Sequence, residues 1–383
     1  MGSFIINNYV PQEIIYGPAS ISKIGTAHLG LDSKKVLVIT DRGLLASGNV
    51  EKVTEQLKQV DVYSELGGEP TTDAVEAALL FSQQKDYDLV IGIGGGSAMD
   101  TAKVVAALQN KTVTVTEVIG RELVGPRKIG LGLIPTTAGT GSEATPNSIF
   151  IDSRDGVKKA VISRELIPDW VILDPDLTLS LPPAITASTG MDALCHCIES
   201  LLSVNATDIS AAYSYHGVKL LSGNIWRVVQ TGGDVEARGK MLLGSFMGGL
   251  ALTLAGTTAV HALSYPLGKR GVPHGIANGM LLPKVLKYNL PYCAEKLAAL
   301  APYMECARSL TEAADVVAYI AEYVDKLPVP KSLEEVHIEE HVIPELTEEA
   351  LQQERLLTNN PRKLSSDEIR NIYHAILHYQ SKG

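Results

Sequence analysis

Tyr87-Asp-Leu-Val-Ile-Gly-Ile-Gly-Gly-Gly-Ser-Ala-Met-Asp100 reads as a buried strand, a glycine turn and the start of a helix. Its apolar, β-branched run suits a parallel strand covered on both faces. The helix is expected from Ser97 to about Gln109. Three consecutive glycines exceed what a tight turn needs. They let the backbone close on an anion, and the first amides of the helix point at it, so Gly94-Gly95-Gly96 is a candidate phosphate cradle. The familiar GxGxxG pattern would demand glycine at position 97, where this chain has Ser97. It would also place its ribose-binding acid roughly twenty residues after the loop. Here the candidate acid is Asp41, which follows the strand Lys34-Lys-Val-Leu-Val-Ile-Thr40 and precedes the loop. An acid beside the adenosine ribose would repel a 2′-phosphate and favour NAD over NADP; an Asp that only shapes a turn is the alternative.

Working outward, a helical segment is expected near 44–59, a strand at 61–65 and a capped helix from Thr72 to Gln84. Gly130-Leu-Gly-Leu-Ile134, Ser148-Ile-Phe-Ile151 and Val171-Ile-Leu173 read as further strands. Such alternation indicates a doubly wound α/β domain. A second small-residue loop, Pro135-Thr-Thr-Ala-Gly-Thr-Gly-Ser142, also follows a strand. Ligands gather at the carboxyl edge of such sheets, so its hydroxyls and amides are candidate cofactor contacts. After Pro182-Pro183 the pattern becomes helical to the end. The expected architecture is a nucleotide-binding α/β domain over 1–181 and an all-α domain over 182–383.

A net charge of −10 gives no basic face for nucleic acid, and no polybasic run suggests anionic membrane. Cys195, Cys197, Cys293 and Cys306 form no CxxC pair, which suggests reduced thiols in a cytoplasmic protein. Residues 1–9 show no leader pattern, and Ile6 stands where N-myristoylation needs Ser or Thr. Met241 to Gly268 lacks Lys, Arg, Asp and Glu. Its glycines and His261 favour a pair of buried helices over a membrane span.

In Thr189-Gly-Met-Asp-Ala-Leu-Cys-His-Cys-Ile-Glu199, Asp192 and His196 share one helix face, one turn apart. The pair can hold a divalent metal or simply hydrogen-bond in a core. His261 and His274, both in apolar surroundings, could complete the shell. His28, His337, His341, His374 and His378 are less suitably placed, and His216 is the one rival. Cys195 and Cys197 project away from the Asp192–His196 face and read as small core residues. One carboxylate and three imidazoles suit Fe²⁺, Zn²⁺, Ni²⁺ or Mn²⁺.

Taken in order, the chain resembles the iron-containing (group III) alcohol dehydrogenase family over essentially its whole length. The segments that carry the resemblance are Gly94-Gly-Gly-Ser-Ala-Met-Asp-Thr-Ala-Lys103, Pro135 to Glu143, Asp174-Pro-Asp-Leu-Thr178, Thr189 to His196, His261 to His274 and Asn360-Pro-Arg-Lys-Leu364. The resemblance implies an active site in a cleft between the two domains, and a metal, Fe²⁺ first among candidates, on Asp192, His196, His261 and His274. It implies cofactor contacts at Asp41, Gly95, Gly96, Ser97, Thr136, Thr137 and Lys158, and a homodimer or larger assembly. The metal would polarise the oxygen of a short-chain primary alcohol or its aldehyde while hydride moves between substrate carbon and nicotinamide.

Two departures stand out. Many relatives carry a histidine four residues after the one matching His261; here it is Tyr265, a candidate for proton relay. Before His274 the chain has Lys269-Arg270-Gly271, which could receive a sulfonate, carboxylate or phosphonate tail. Asn147 is a further candidate substrate contact. The rival reading from another class is a dehydroquinate-synthase-type lyase, which shares the architecture, NAD and a metal. A zinc glycerol dehydrogenase and a non-catalytic NAD-binding protein are the remaining alternatives.

Overall fold

The structure, a computed structural model, describes residues 8–26, 29–306 and 308–379. The readings made on residues 1–7 and His28 lie outside them. The chain forms two compact units that divide between Ser180 and Leu181.

The first unit runs β1 (Glu13–Tyr16), β2 (Lys35–Asp41), α1 (Arg42–Ala46), α2 (Glu51–Thr54), β3 (Gln59–Leu66), α3 (Thr72–Ser82), β4 (Leu89–Gly94) and α4 (Gly96–Leu108). It continues with β5 (Gly120–Arg121), β6 (Gly130–Pro135), β7 (Asn147–Ile151), β8 (Lys158–Ile162) and β9 (Trp170–Leu173). Six strands make one parallel sheet in the order β1-β9-β6-β4-β2-β3. β4 lies near its middle and is buried at every residue, which accounts for its unbroken apolar run. From β2 the chain steps outward to β3, then returns to β2's other side as β4. The order therefore reverses between β2 and β4, and a crevice at such a switch point takes ligands.

The structure adds detail at two of the expected segments. The strand at 148–151 is β7, but it pairs antiparallel with β8 in a separate three-stranded sheet, β5-β8-β7. Its burial alternates, the mark of a strand covered on one face. The single helix near 44–59 is broken into α1 and α2, with Gly48 between them at φ +77°. That left-handed conformation cannot continue a helix.

The second unit comprises α5 (Pro183–Leu202), α6 (Asp208–Ser222), α7 (Ile225–Gln230), α8 (Val235–Ala255), α9 (Ala259–Lys269), α10 (His274–Ala298), α11 (Ala313–Lys326), α12 (Ile343–Leu351), α13 (Glu354–Leu357) and α14 (Ser366–His374). No strand occurs among its described residues. α5 is its hub, buried along nearly its whole length and packed by α6, α7, α8 and α10. The charge-free run Met241 to Gly268 falls on α8 and α9, which bend by 108°. No single described helix is long and apolar enough to cross a membrane.

Candidate active site

The cofactor features gather at the switch point of the first unit. Asp41 ends β2 and caps α1, its Oδ1 accepting from Leu44 N at 2.9 Å. Its other oxygen faces the glycine turn: a Cβ at Gly94 would lie 3.6 Å from Asp41 Oδ2 and 2.8 Å from the Ala98 Cβ. With φ at +149°, Gly94 is a position only glycine fills comfortably. Gly95 caps α4 and offers no side chain to its first amides, which suits an anionic ligand there. Thr136 N donates to Gly94 O at 3.0 Å, and Thr137 Oγ1 would be 3.6 Å from a Cβ on Gly95. Asp41, both loops, Thr136 and Thr137 thus come together, with Ser97 opening α4 beside them.

A buried charge cluster ties the second loop to α4. Ser142 Oγ donates to Asp100, and Ile149 N donates to Asp100 Oδ2 at 2.8 Å. Lys103, wholly buried, donates to Asn147 O at 2.8 Å and Thr145 Oγ1 at 3.1 Å. Burial pushes the Asp100 carboxyl up and the Lys103 ammonium down, each opposed by the other's charge. Glu143 completes the cluster, and burial lifts its carboxyl to about 7. Beyond its own backbone amide, neither of its oxygens meets a hydrogen-bond donor among the described residues. The sequence reading missed this cluster, although an Asp and a Lys three apart in the run Ala98 to Leu108, which holds no other charge, were a usable signal. Lys158 sits in β8 in an ion pair with Glu69. Asn147 opens β7, its carbonyl held by Lys103.

In the second unit, α5 presents Asp192 and His196, α9 His261 near its start and α10 His274 at its first position. Gly275 lets α10 approach, since a Cβ there would collide with the Ser188 carbonyl of α5. One atom organises the group. Asp192 Oδ1 stands 3.8 Å from His196 Nε2, 3.7 Å from His261 Nε2 and 3.7 Å from His274 Nε2. Donors sharing one cation at about 2.1 Å lie roughly 3–3.5 Å apart, so small adjustments would close the shell. Ligand atoms of Asp192, His196 and His261 lie within 4.8 Å of one another, and all three residues are buried. His274 falls outside that tight trio, and its side chain is 28% exposed against 8% or less for the other three.

Burial would raise the Asp192 carboxyl, but His196, His274 and His261, with a hydrogen bond from Asn278, hold it below its usual value. Asn278 Nδ2 lies 2.7 Å from Asp192 Oδ1. Burial alone would likewise raise Glu199; His261 and donors from Thr258 bring it down instead. An ionised, buried carboxylate facing three imidazole nitrogens fits a divalent cation. The Tyr265 ring lies against His274, centroids 5.7 Å apart. Lys269 Nζ meets Glu349 Oε1 at 2.7 Å. Arg270 meets Glu349 Oε2 at 2.6 Å, Glu345 at 3.0 Å and Pro266 O at 2.9 Å. Both basic groups are therefore clamped to acids of α12. Cys195 and Cys197 are buried, with thiols raised by burial, as small core residues would be.

Residues 11–175 match the family model "Iron-containing alcohol dehydrogenase", and residues 186–377 match "Fe-containing alcohol dehydrogenase family, C-terminal". The chain belongs to the iron-containing alcohol dehydrogenase family. It is 39% identical over 359 residues to long-chain-alcohol dehydrogenase 1 of Geobacillus thermodenitrificans, covering 90% of each chain. A solved 1,3-propanediol oxidoreductase superposes with a TM-score of 0.92 at 30% identity, covering 98% of this chain and all of that one. A sulfoacetaldehyde reductase from Bifidobacterium kashiwanohense in complex with NAD+ gives 0.88 at 27% identity, covering 98% and 99%. As a member of the iron-containing alcohol dehydrogenases, the chain is an NAD-linked, iron-binding oxidoreductase of alcohols or aldehydes.

Proposed function

We propose that Asp192, His196, His261 and His274 hold the divalent cation, Fe²⁺ first, with Zn²⁺ or Mn²⁺ as substitutes. Asp41, Gly95, Gly96, Ser97, Thr136, Thr137 and Lys158 hold NAD(H). The reaction interconverts a short-chain primary alcohol and its aldehyde. The observation that carries this reading is the single Asp192 oxygen at 3.7–3.8 Å from three imidazole nitrogens.

When bound, the cation supplies Lewis acidity to the substrate oxygen and the nicotinamide supplies the hydride couple. The chain's own residues do the rest. Asp192 contributes the negative charge that anchors the cation, and three neutral imidazoles add donors without adding charge. His274, the most exposed of the four, marks the side from which substrate arrives. Tyr265, whose ring lies against His274, is our candidate to exchange the substrate's hydroxyl proton. Asp41 accepts from the adenosine ribose, and the amides opening α4 receive the pyrophosphate.

The Lys269-Arg270 pair carries the anionic-tail alternative for the substrate. Their carboxylate partners on α12 support a neutral tail; the likeness to a sulfoacetaldehyde reductase supports a sulfonate. Metal-loaded wild type and Arg270→Ala, assayed for NADH oxidation with propanal and sulfoacetaldehyde, decide between them. An unchanged ratio of kcat/KM between the two aldehydes supports the neutral tail. A selective loss on sulfoacetaldehyde establishes the anionic one, with Asn147 as its next candidate contact. We place the enzyme in the cytoplasm, supported by the free thiols of Cys195, Cys197, Cys293 and Cys306. We read it as a homodimer or larger, which light scattering would check.

A further inference from the structure

Glu199 lies on α5 one turn beyond His196 and is 1% exposed. Its two oxygens do different work. Oε1 accepts from Thr258 N at 3.0 Å, Thr258 Oγ1 at 2.6 Å, Val260 N at 2.8 Å and His261 N at 3.4 Å. It therefore satisfies the opening amides of α9, whose cap residue Thr258 makes no side-chain cap of its own. Oε2 is hydrogen-bonded to His261 Nδ1. With four donors gathered on Oε1 and the ring nitrogen on Oε2, the Glu199 side chain is arranged as an acceptor, so Nδ1 carries the proton and Nε2 presents its lone pair. That unprotonated nitrogen is the atom 3.7 Å from Asp192 Oδ1. The surroundings of Nε2 agree: the Asn278 amide nitrogen, a donor, lies 3.3 Å from it.

We propose that Glu199 is a positioning residue that locks His261 in the Nδ1-protonated tautomer and thereby sets the cation affinity of the centre. This rests on the metal-binding reading above and is separable from it. A charged acceptor behind the ring also makes Nε2 a stronger donor to a cation. The helix-capping role of Oε1 and the tautomer role of Oε2 belong to different atoms, so substitutions can part them. Glu199→Gln keeps an oxygen for the four α9 donors and turns an NH₂ toward Nδ1. Nδ1 must then accept, and the proton moves to Nε2, the ligand atom. Thr258→Val removes one tie to Oε1 and leaves the imidazole contact alone.

The test measures the Zn²⁺ dissociation constant of stripped, full-length protein by competition with a chromophoric chelator, alongside the thermal midpoint of each stripped protein. Glu199→Gln is expected to weaken Zn²⁺ by about 10–100-fold, the usual loss when a ligand's supporting partner is removed. Thr258→Val is expected to lower the midpoint and keep wild-type affinity. Equal affinity in Glu199→Gln and wild type overturns the proposal, as does an equal loss in Thr258→Val. Nitrogen-15 shifts of the histidine rings in stripped wild type give a readout that needs no Glu199 variant to fold: His261, assigned with His261→Gln, should be protonated at Nδ1. Protonation at Nε2 overturns the inference. A wild type that takes up no Zn²⁺ overturns the metal reading itself, a result distinguishable from either.

Discussion

All three imidazole Nε2 atoms approach Asp192 Oδ1, so the centre should fail when that residue is changed. Asp192→Asn keeps the shape and removes the charge. Losing a supporting partner costs 10–100-fold in affinity or activity, and losing the ligand itself should cost at least ~100-fold in activity, with metal content falling in parallel. Elemental analysis and NADH oxidation on one preparation check this. Tyr265→Phe should behave differently, retaining the metal and losing about 100-fold in kcat through its part in proton transfer. Glu143 carries the pH prediction. Burial lifts its carboxyl from 4.5 to about 7, so between those values the folded chain holds a proton that the unfolded chain has released. Its contribution to stability is full at the acid end and lost as pH rises through about 7. Glu143→Gln should flatten that fall and gain ~1–3 kcal/mol on the alkaline side, read from denaturant unfolding at a series of pH values. At this scale the Asp192–His196 pair was legible, because helix spacing is local. Glu199 closes the same quoted stretch, yet its partner His261 is 62 residues away, and no local pattern shows a carboxylate turned toward a distant ring.

The glycine loop separates structural from ligand-facing glycines. Gly94 and Gly96 are pinned by neighbours: a Cβ on Gly96 would stand 2.9 Å from Thr140 Cγ2. Gly95 has φ −77° and no neighbour nearer than 3.6 Å, so the fold itself does not demand a glycine there. Gly95→Ala should keep the thermal midpoint and weaken NADH by about tenfold, roughly 1.4 kcal/mol, because the methyl enters the space proposed for the phosphates. Fluorescence titration with NADH measures it; unchanged affinity would remove Gly95 from the cofactor contacts. The strand–turn–helix element was legible because its apolar run, glycines and helix start are contiguous. The placement of β7 was not. Ser148-Ile-Phe-Ile151 is too short for its alternation to say which sheet it joins, and its partner β8 carries Lys158 and Lys159, which mask it as a strand. The break between α1 and α2 was carried by Gly48, which marks a left-handed residue only once its neighbours are placed.

Across the whole chain, the change from alternating strands and helices to helices alone is written in hydrophobic period, which is why the two kinds of unit were legible without contacts. The ion pairs that hold Lys269 and Arg270 to Glu349 were not, because they join residues 80 and 79 positions apart. The central claim is that the chain consumes NADH in reducing an aldehyde only when a divalent cation occupies the Asp192 centre. One measurement tests it most directly. Strip the full-length protein with chelator, reconstitute portions separately with Fe²⁺, Zn²⁺ and Mn²⁺, and follow NADH oxidation with propanal. The account predicts no oxidation by the stripped protein and stoichiometric oxidation after reconstitution, strongest with Fe²⁺. A lyase of the dehydroquinate-synthase type would cycle its NAD with no net change. Oxidation that survives complete stripping, or none with any of the three metals, would contradict the account.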